Sequence, residues 1–230
     1  MDRDAQKKAA AEAAIALVQD GMVVGLGTGS TAAFAIDGLI RRVRNGLRIV
    51  AIPTSERSAQ QARQGGITLT DFAHHPRVDL TIDGADEIAR GSLDLIKGLG
   101  GALLREKIVA AASDRLVIVA DETKLVDRLG GIASIPVEVV AFGWESTAVR
   151  VAALGVEPKL RRQAGGSPYR TDGGNVILDC RFGLLADAAG MERRLSGIVG
   201  VVDSGLFIGM AERALVATGQ GVQELTRAGA

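Results

Sequence analysis

Apolar residues recur along this chain with two periods that take turns. Over residues 4–19, Ala10, Ala13, Ala14, Leu17 and Val18 fall on one stripe, the spacing of a helix with one buried face. The apolar run Met22–Leu26 is β-like and leads straight into Gly27-Thr28-Gly29-Ser30-Thr31. Helical spacing returns over 32–43, with Ile36 and Ile40 four apart, and Leu47–Ile52 predicts the next strand. Residues 56–64 are polar but helical in character, and Gly65-Gly66 stops them. Ile67–Leu69 and Leu80–Ile82 predict short strands. A helix is expected over 101–112, with Leu104, Ile108 and Ala111 as its apolar face, and a strand over Leu116–Ala120. Strand and helix thus alternate to about residue 130, the pattern of a mostly parallel sheet covered by helices on both faces.

The order changes beyond Gly130-Gly131. Ile135–Val140 predicts a strand, 145–154 a helix and 156–163 a strand, followed by the turn-rich piece GGSPYRTDGG. Val176–Asp179 is a further strand, 184–195 a helix and Ile198–Val202 a strand. The order β-α-β-β-α-β is that of the ferredoxin-like split unit. The tail carries Phe207-Ile208, Ala214–Ala217 and Val222–Leu225, too little for a third domain, and is expected to return to the first. The expected architecture is α/β: a mostly parallel Rossmann-like sheet domain, 1–130 plus 205–230, with an inserted smaller α+β ferredoxin-like domain over 131–204.

Composition narrows the partners. The 230 residues are 47% hydrophobic but only 3% aromatic, so the core must be built from Ala, Val, Leu and Ile. With 27 basic and 27 acidic residues the formal net charge is zero. Nucleic-acid binding usually shows a basic excess or patch. The clusters Arg41, Arg42, Arg44 and Arg161, Arg162 are small, lack aromatic neighbours and read as a solvated helix face or turn. Cys180 has no partner for an intrachain disulfide and reads as a partly buried small side chain. His74-His75 reads as a surface turn, and Trp144, Tyr169 and Phe182 as packing residues. No stretch approaches 18 uninterrupted apolar residues, and MDRDAQKK has no signal-peptide core after it. A soluble cytoplasmic protein without nucleic-acid or membrane partners is expected.

Two loops carry the chemistry. Open α/β sheets bind ligands beyond the carboxyl ends of their strands, so the 25–31 loop, the 83–86 loop and Lys124 should meet at one sheet edge. GLGTGST at 25–31 offers glycines that bend around an anion, free N–H groups at a helix start, and the Ser30 and Thr31 hydroxyls. The bland alternative is a strand–turn–helix junction capped by Ser30. A Walker loop would need lysine, and the dinucleotide fingerprint needs another glycine spacing. A small phosphate ester fits better.

In DGADEI, Asp83 and Asp86 lie three apart after an apolar run, so both can face one cavity while Glu87 points elsewhere. They suit proton handling between hydroxyls, a turn, or a magnesium site. Lys97 enters Gly98-Leu99-Gly100-Gly101, where a positive charge beside exposed N–H groups makes an oxyanion site. Glu106 falls opposite the Leu104–Ile108 stripe. It reads as a solvated helix glutamate or, pointing away from the core, as a base.

Taken together, GLGTGST at 25–31, DGADEI at 83–88, KGLGGALLREK at 97–107, VADETK at 119–124 and TDGGNVILD at 171–179 resemble the A-type ribose-5-phosphate isomerases. Any one of these matches is weak, whereas five in order along nearly the whole chain are specific. The resemblance implies interconversion of ribose 5-phosphate and ribulose 5-phosphate without metal or organic cofactor, and a homodimer or dimer of dimers. It implies Glu106 as general base, Asp83 and Asp86 as the paired aspartates, and Lys97 as the active-site lysine. The phosphorylated sugar would contact Lys7, Thr28, Gly29, Ser30, Thr31, Gly84, Ala85, Gly98, Leu99, Gly100 and Lys124. Leu99 departs from the family's glycine at that place. Sugar-phosphate-sensing domains of some repressors share the fold type, but they normally carry a helix-turn-helix, for which the single helix before the first strand leaves no room.

Overall fold

The computed structural model describes residues 2–227. The expected first-domain bounds also take in residues 1 and 228–230, which lie outside the described residues. In chain order the elements are α1 (Arg3–Ile15), β1 (Val23–Leu26), α2 (Ser30–Arg44), β2 (Val50–Pro53), α3 (Glu56–Gly65), β3 (Thr68–Leu69), β4 (Leu80–Asp83), β5 (Glu87–Ala89) and β6 (Leu95–Ile96). Then come α4 (Leu103–Ala111), β7 (Leu116–Asp121), a 3-10 turn (Glu122–Lys124), β8 (Leu125–Val126), β9 (Ile135–Val139), α5 (Trp144–Ala152) and β10 (Lys159–Leu160). The chain ends with β11 (Val176–Cys180), α6 (Ala188–Ser196), β12 (Val201–Ser204), β13 (Leu206–Phe207), β14 (Arg213–Thr218) and β15 (Gly221–Thr226).

The main sheet has the order β15-β14-β7-β4-β1-β2-β3 and is parallel except for the β14–β15 pair. Its central strands are buried on both faces, as β7 shows with all six residues buried, so they read as continuous apolar runs rather than alternation. Ala10, Ala11 and Ala14 of α1 pack with Leu39 and Ile36 of α2 over Val24, Leu26 and Val119. Small side chains on α1 let the two helices and the sheet approach closely with few aromatics. Leu116, Ile118 and Val216 face a second core with Phe207 and Ile88.

Strands β10-β11-β9-β12 form an antiparallel sheet within the β-α-β-β-α-β segment, its core built from Val137, Val139, Val151, Leu178 and Leu195. A third small sheet, β13-β6-β5-β8, joins the two regions. It was not legible as strands because its members are two or three residues long, shorter than any readable period.

Several boundaries differ from the expected ones. The first helix stops at Ile15 rather than 19, because Leu17 and Val18 donate to Ala14 and Ile15 in i→i−3 turn bonds; Val18 stays buried, which extends the apolar stripe past the helix. The strand expected over 156–163 shrinks to β10. The helix expected from 184 begins at Ala188, where the Asp187 side chain caps it through Gly190 N–H. No helix among the described residues is long and apolar enough to cross a membrane.

Candidate active site

The chain runs outward from β1 through β2 to β3, then returns to lay β4 on the other side of β1. Neighbouring strands part in opposite directions there, and the crevice forms beyond their carboxyl ends. The 25–31 loop leaves β1 and the 83–86 loop leaves β4 at this point. The cleft holds about 180 Å³, below the roughly 300–1,000 Å³ of drug-sized sites. It is lined by Thr28, Gly29, Ser30, Thr31, Gly84, Ala85, Asp86, Lys97, Gly98, Gly100, Glu106 and Lys124, together with Lys7. Arg3, Asp121 and Thr123 line it as well. Arg3 lies four residues before Lys7 on α1, a same-face spacing visible in the sequence that brings both cations to the cleft.

The first loop is bound to β4 and leaves a helix end open. Gly27 N–H donates to Ile82 O at 2.9 Å and Thr28 N–H to Asp83 Oδ1 at 3.0 Å. Gly29, at φ +113°, is the N-cap of α2 and has no side chain to cap it. Ser30 is therefore the first helical residue and not the cap. The first-turn N–H groups of α2, with the positive end of its dipole, remain for an anion in the cleft. The Thr28 hydroxyl is taken up internally, 2.7 Å from Thr54 Oγ1 and 2.8 Å from Ser55 Oγ, so it orders the loop rather than reaching out. Gly27 cannot carry a side chain: a Cβ there would come within 2.5 Å of Asp83 Cα. Gly27→Ala is expected to lower stability by about 1–3 kcal/mol through overpacking, read as a lower denaturation midpoint. An unchanged midpoint would mean that β1 and β4 can separate freely.

The centre of the site is a buried cation between two buried carboxylates. Lys97, Asp83 and Glu106 are 2%, 1% and 3% exposed. Lys97 Nζ donates to Glu106 Oε1 at 3.1 Å and to Gly84 O at 2.5 Å, and lies 3.0 Å from Asp83 Oδ2 as an ion pair rather than a directed hydrogen bond. Asp83 Oδ1 accepts from the N–H groups of Thr28 and Gly84. Burial pushes the Glu106 carboxyl up to about 8, with the nearby Asp83 charge adding to it and Lys97 opposing. Burial raises the Asp83 carboxyl too. Burial works against the charge on Lys97, yet Asp83 and Glu106 together raise its proton affinity. Glu106 Oε2 has no hydrogen-bond partner among the described residues.

This arrangement corrects the expected orientation of α4. Its buried side is Leu103, Glu106, Val109 and Ala110, whereas Ile108 is 48% exposed and Ala111 is exposed. Glu106 lies on the inner side of the helix, not opposite it. The apolar stripe misled because a helix that buries a carboxylate beside Lys97 hides a polar residue on its inner face.

The aspartate pair also divides differently. Asp83 is absent from the cleft wall, and both its oxygens face Lys97 or loop N–H groups, so its electrostatic partner is Glu106 through Lys97. Asp86 lines the cleft and accepts Leu99 N–H through Oδ2 at 2.9 Å. Leu99 itself is 45% exposed and does not line the cleft, so it is not placed as a substrate contact. Gly98 and Gly101 take the positive φ values in this loop, which is why a leucine is tolerated at 99. Glu87 turns to the opposite side, where its carboxylate accepts the N–H groups of Gly130, Ile132 and Ala133. No cluster of metal-ligating side chains occurs among the described residues.

Comparison with known proteins agrees over nearly the whole chain. The model of the family described as ribose 5-phosphate isomerase A (phosphoriboisomerase A) matches residues 50–221. The ribose-5-phosphate isomerase A of Gloeobacter violaceus is 60% identical over 226 residues, covering 98% of each chain. The structure of ribose 5-phosphate isomerase A from Methanocaldococcus jannaschii superposes with a TM-score of 0.94 at 38% identity, over 97% of this chain and 99% of that one. A D-ribose-5-phosphate isomerase solved in complex with phospho-erythronic acid superposes with a TM-score of 0.95 at 35% identity, over 99% of this chain and 100% of that one.

Proposed function

The chain belongs to the ribose 5-phosphate isomerase A family, and from that premise we propose which of its groups move which protons. It is an aldose–ketose isomerase of the pentose phosphate pathway that interconverts ribose 5-phosphate and ribulose 5-phosphate. The observation that carries the mechanism is the buried Glu106 carboxylate facing a cleft, with one oxygen on Lys97 and the other without a hydrogen-bond partner among the described residues.

In the open-chain aldose, Glu106 takes the proton from C2, and the electron pair forms a C1–C2 double bond as charge collects on O1. The resulting cis-enediolate passes a proton between O1 and O2. Glu106, whose acquired proton exchanges with solvent while the enediolate lasts, then delivers a proton to C1, leaving a carbonyl at C2. One carboxylate within reach of both carbons serves both transfers. Lys97 and the backbone of Gly98–Gly100 face the developing oxyanion, in a buried site where charge is felt strongly. Asp86, rather than Asp83, presents a carboxylate to the cleft and is assigned to hydroxyl protons during ring opening. Asp83 holds Lys97 and the 28 and 84 backbones.

Phosphate is assigned to the open N-terminus of α2 at Ser30 and Thr31, with Lys7, Lys124 and Arg3 as cations around it. Binding energy gained there, away from the reacting carbons, orients the sugar. Unphosphorylated ribose is expected to be a very poor substrate, with kcat/KM lower by about 10³ or more. Comparable efficiency for ribose and ribose 5-phosphate would remove the phosphate role.

We further propose a cytoplasmic homodimer or dimer of dimers. Phe142 is 95% exposed, and Val149, Val199 and Val202 are also exposed, all within residues 131–204. Large apolar side chains left exposed favour burial against a second copy. Light scattering at micromolar protein should give a mass of two or four chains, and a strict monomer would contradict it.

A further inference from the structure

The sequence places Arg161 in a small basic cluster of solvated appearance, but the structure buries most of its side chain and uses every face of it. Its Nε and Nη2 hold both oxygens of Asp179. Its guanidinium lies 6.0 Å from the centre of the Tyr169 ring. Nη1 crosses from the 131–204 region to the lysine–glycine loop, donating to Gly98 O and to Leu99 O, each at 3.1 Å.

Those two carbonyls belong to the peptides that matter in the cleft. All peptide bonds among the described residues are trans, so each carries its N–H on the side opposite its C=O. In the Gly98–Leu99 peptide, oxygen is held by Arg161 and by Gly101 N–H, and the N–H goes to Asp86 Oδ2 at 2.9 Å. In the Leu99–Gly100 peptide, oxygen is held by Arg161. Gly100 lines the cleft, and its N–H has no acceptor among the described residues. A cation on the carbonyl side polarises both peptides and strengthens the donors on the other.

We propose that Arg161 is a positioning residue for the isomerisation: its guanidinium fixes the 98–99–100 backbone so that Leu99 N–H orients Asp86 and Gly100 N–H meets the enediolate oxygen. This rests on the assignment of Asp86 and the glycine loop above. Arg161 touches no reacting atom and acts only through the two peptides. Lysine cannot replace it, since a single ammonium cannot hold a carboxylate with two parallel bonds and also bridge two carbonyls.

The test uses Arg161→Lys, which retains the charge beside Asp179, and Arg161→Ala, assayed with and without added guanidinium. Displacement of an oxyanion donor by a fraction of an ångström to an ångström costs up to about 100-fold. Arg161→Lys is therefore expected to lower kcat by about 10–100-fold, with KM for ribose 5-phosphate within about threefold and only a modest fall in melting temperature from the lost bonds to Asp179 and the loop carbonyls. Phospho-erythronic acid, whose carboxylate places charge where the enediolate would carry it, should bind more weakly by a similar factor. Millimolar guanidinium should restore part of the activity of Arg161→Ala. Parent-like kcat in either variant would overturn the proposal. So would a loss in Arg161→Lys that appears only in KM. If the parent chain itself failed to turn over ribose 5-phosphate, the isomerase mechanism would fall first, which separates the two failures.

Discussion

Glu106→Gln is expected to fold at least as well as the parent chain and to lose turnover by about 10³-fold or more, within or above the usual range for removing a general base. The amide keeps the size of the side chain and can still accept from Lys97, so binding of the phosphorylated sugar should survive. The same carboxylate has opposite effects on activity and stability. Burial raises its proton affinity, so its ordinary range near 4.3 moves up to about 8. Catalysis needs the ionised form, so kcat of the parent should fall as pH drops, with an acid limb well above the usual glutamate range. Folding prefers the neutral form: the stability that protonation supplies is fully present below the unfolded value and is lost as pH rises through the folded one. The Gln variant, which cannot ionise, should therefore gain melting temperature over the parent as pH rises toward and beyond 8. Parent-like turnover would remove Glu106 as the base. A Gln variant that loses stability at high pH would contradict the burial cost.

Lys97→Met is expected to be the most damaging single change in the site. Removing one partner of a buried ion pair typically costs about 3–5 kcal/mol, because the remaining charge stays buried and unpaired. Here two carboxylates, Asp83 and Glu106, would lose their shared cation. Without it both carboxyls should rise further, so stability should be recovered at acid pH and lost as pH increases through the raised values. Denaturant melts of the variant between pH 5 and 8 would show this as a midpoint that falls with pH more steeply than in the parent. Activity should drop at least as far as in Glu106→Gln, since the oxyanion loses its charge partner and the base its neighbour. A variant of near-parent stability at pH 8 would mean that the two carboxylates are not coupled through Lys97.

Much of this site was legible in the sequence, for identifiable reasons. Glycine loops leaving apolar runs marked the carboxyl ends of β1 and β4, and those ends are where open sheets place ligands. The residue types at 83, 86, 97 and 106 announced carboxylate and amine chemistry. The geometry between them was less visible. Helical periodicity equates polar with outward and so turns Glu106 away from the core, and a buried charge cluster reverses that equation. The separate tasks of Asp83 and Asp86 follow from which backbone N–H groups they accept, a tertiary fact. Arg161 looked solvated because its partners are carbonyls of a loop more than 60 residues away. The third sheet escaped because two-residue strands have no period.

The direct test of the central assignment is to follow isomerisation in D2O by NMR with the parent chain and Glu106→Gln side by side. The parent is expected to form ribulose 5-phosphate carrying solvent deuterium on one face of C1. The Gln variant should bind the sugar yet neither exchange the C2 proton nor form product at more than about a thousandth of the parent rate. Exchange of the C2 proton, or product formation, at the parent rate in Glu106→Gln would contradict a proton shuttle carried by Glu106.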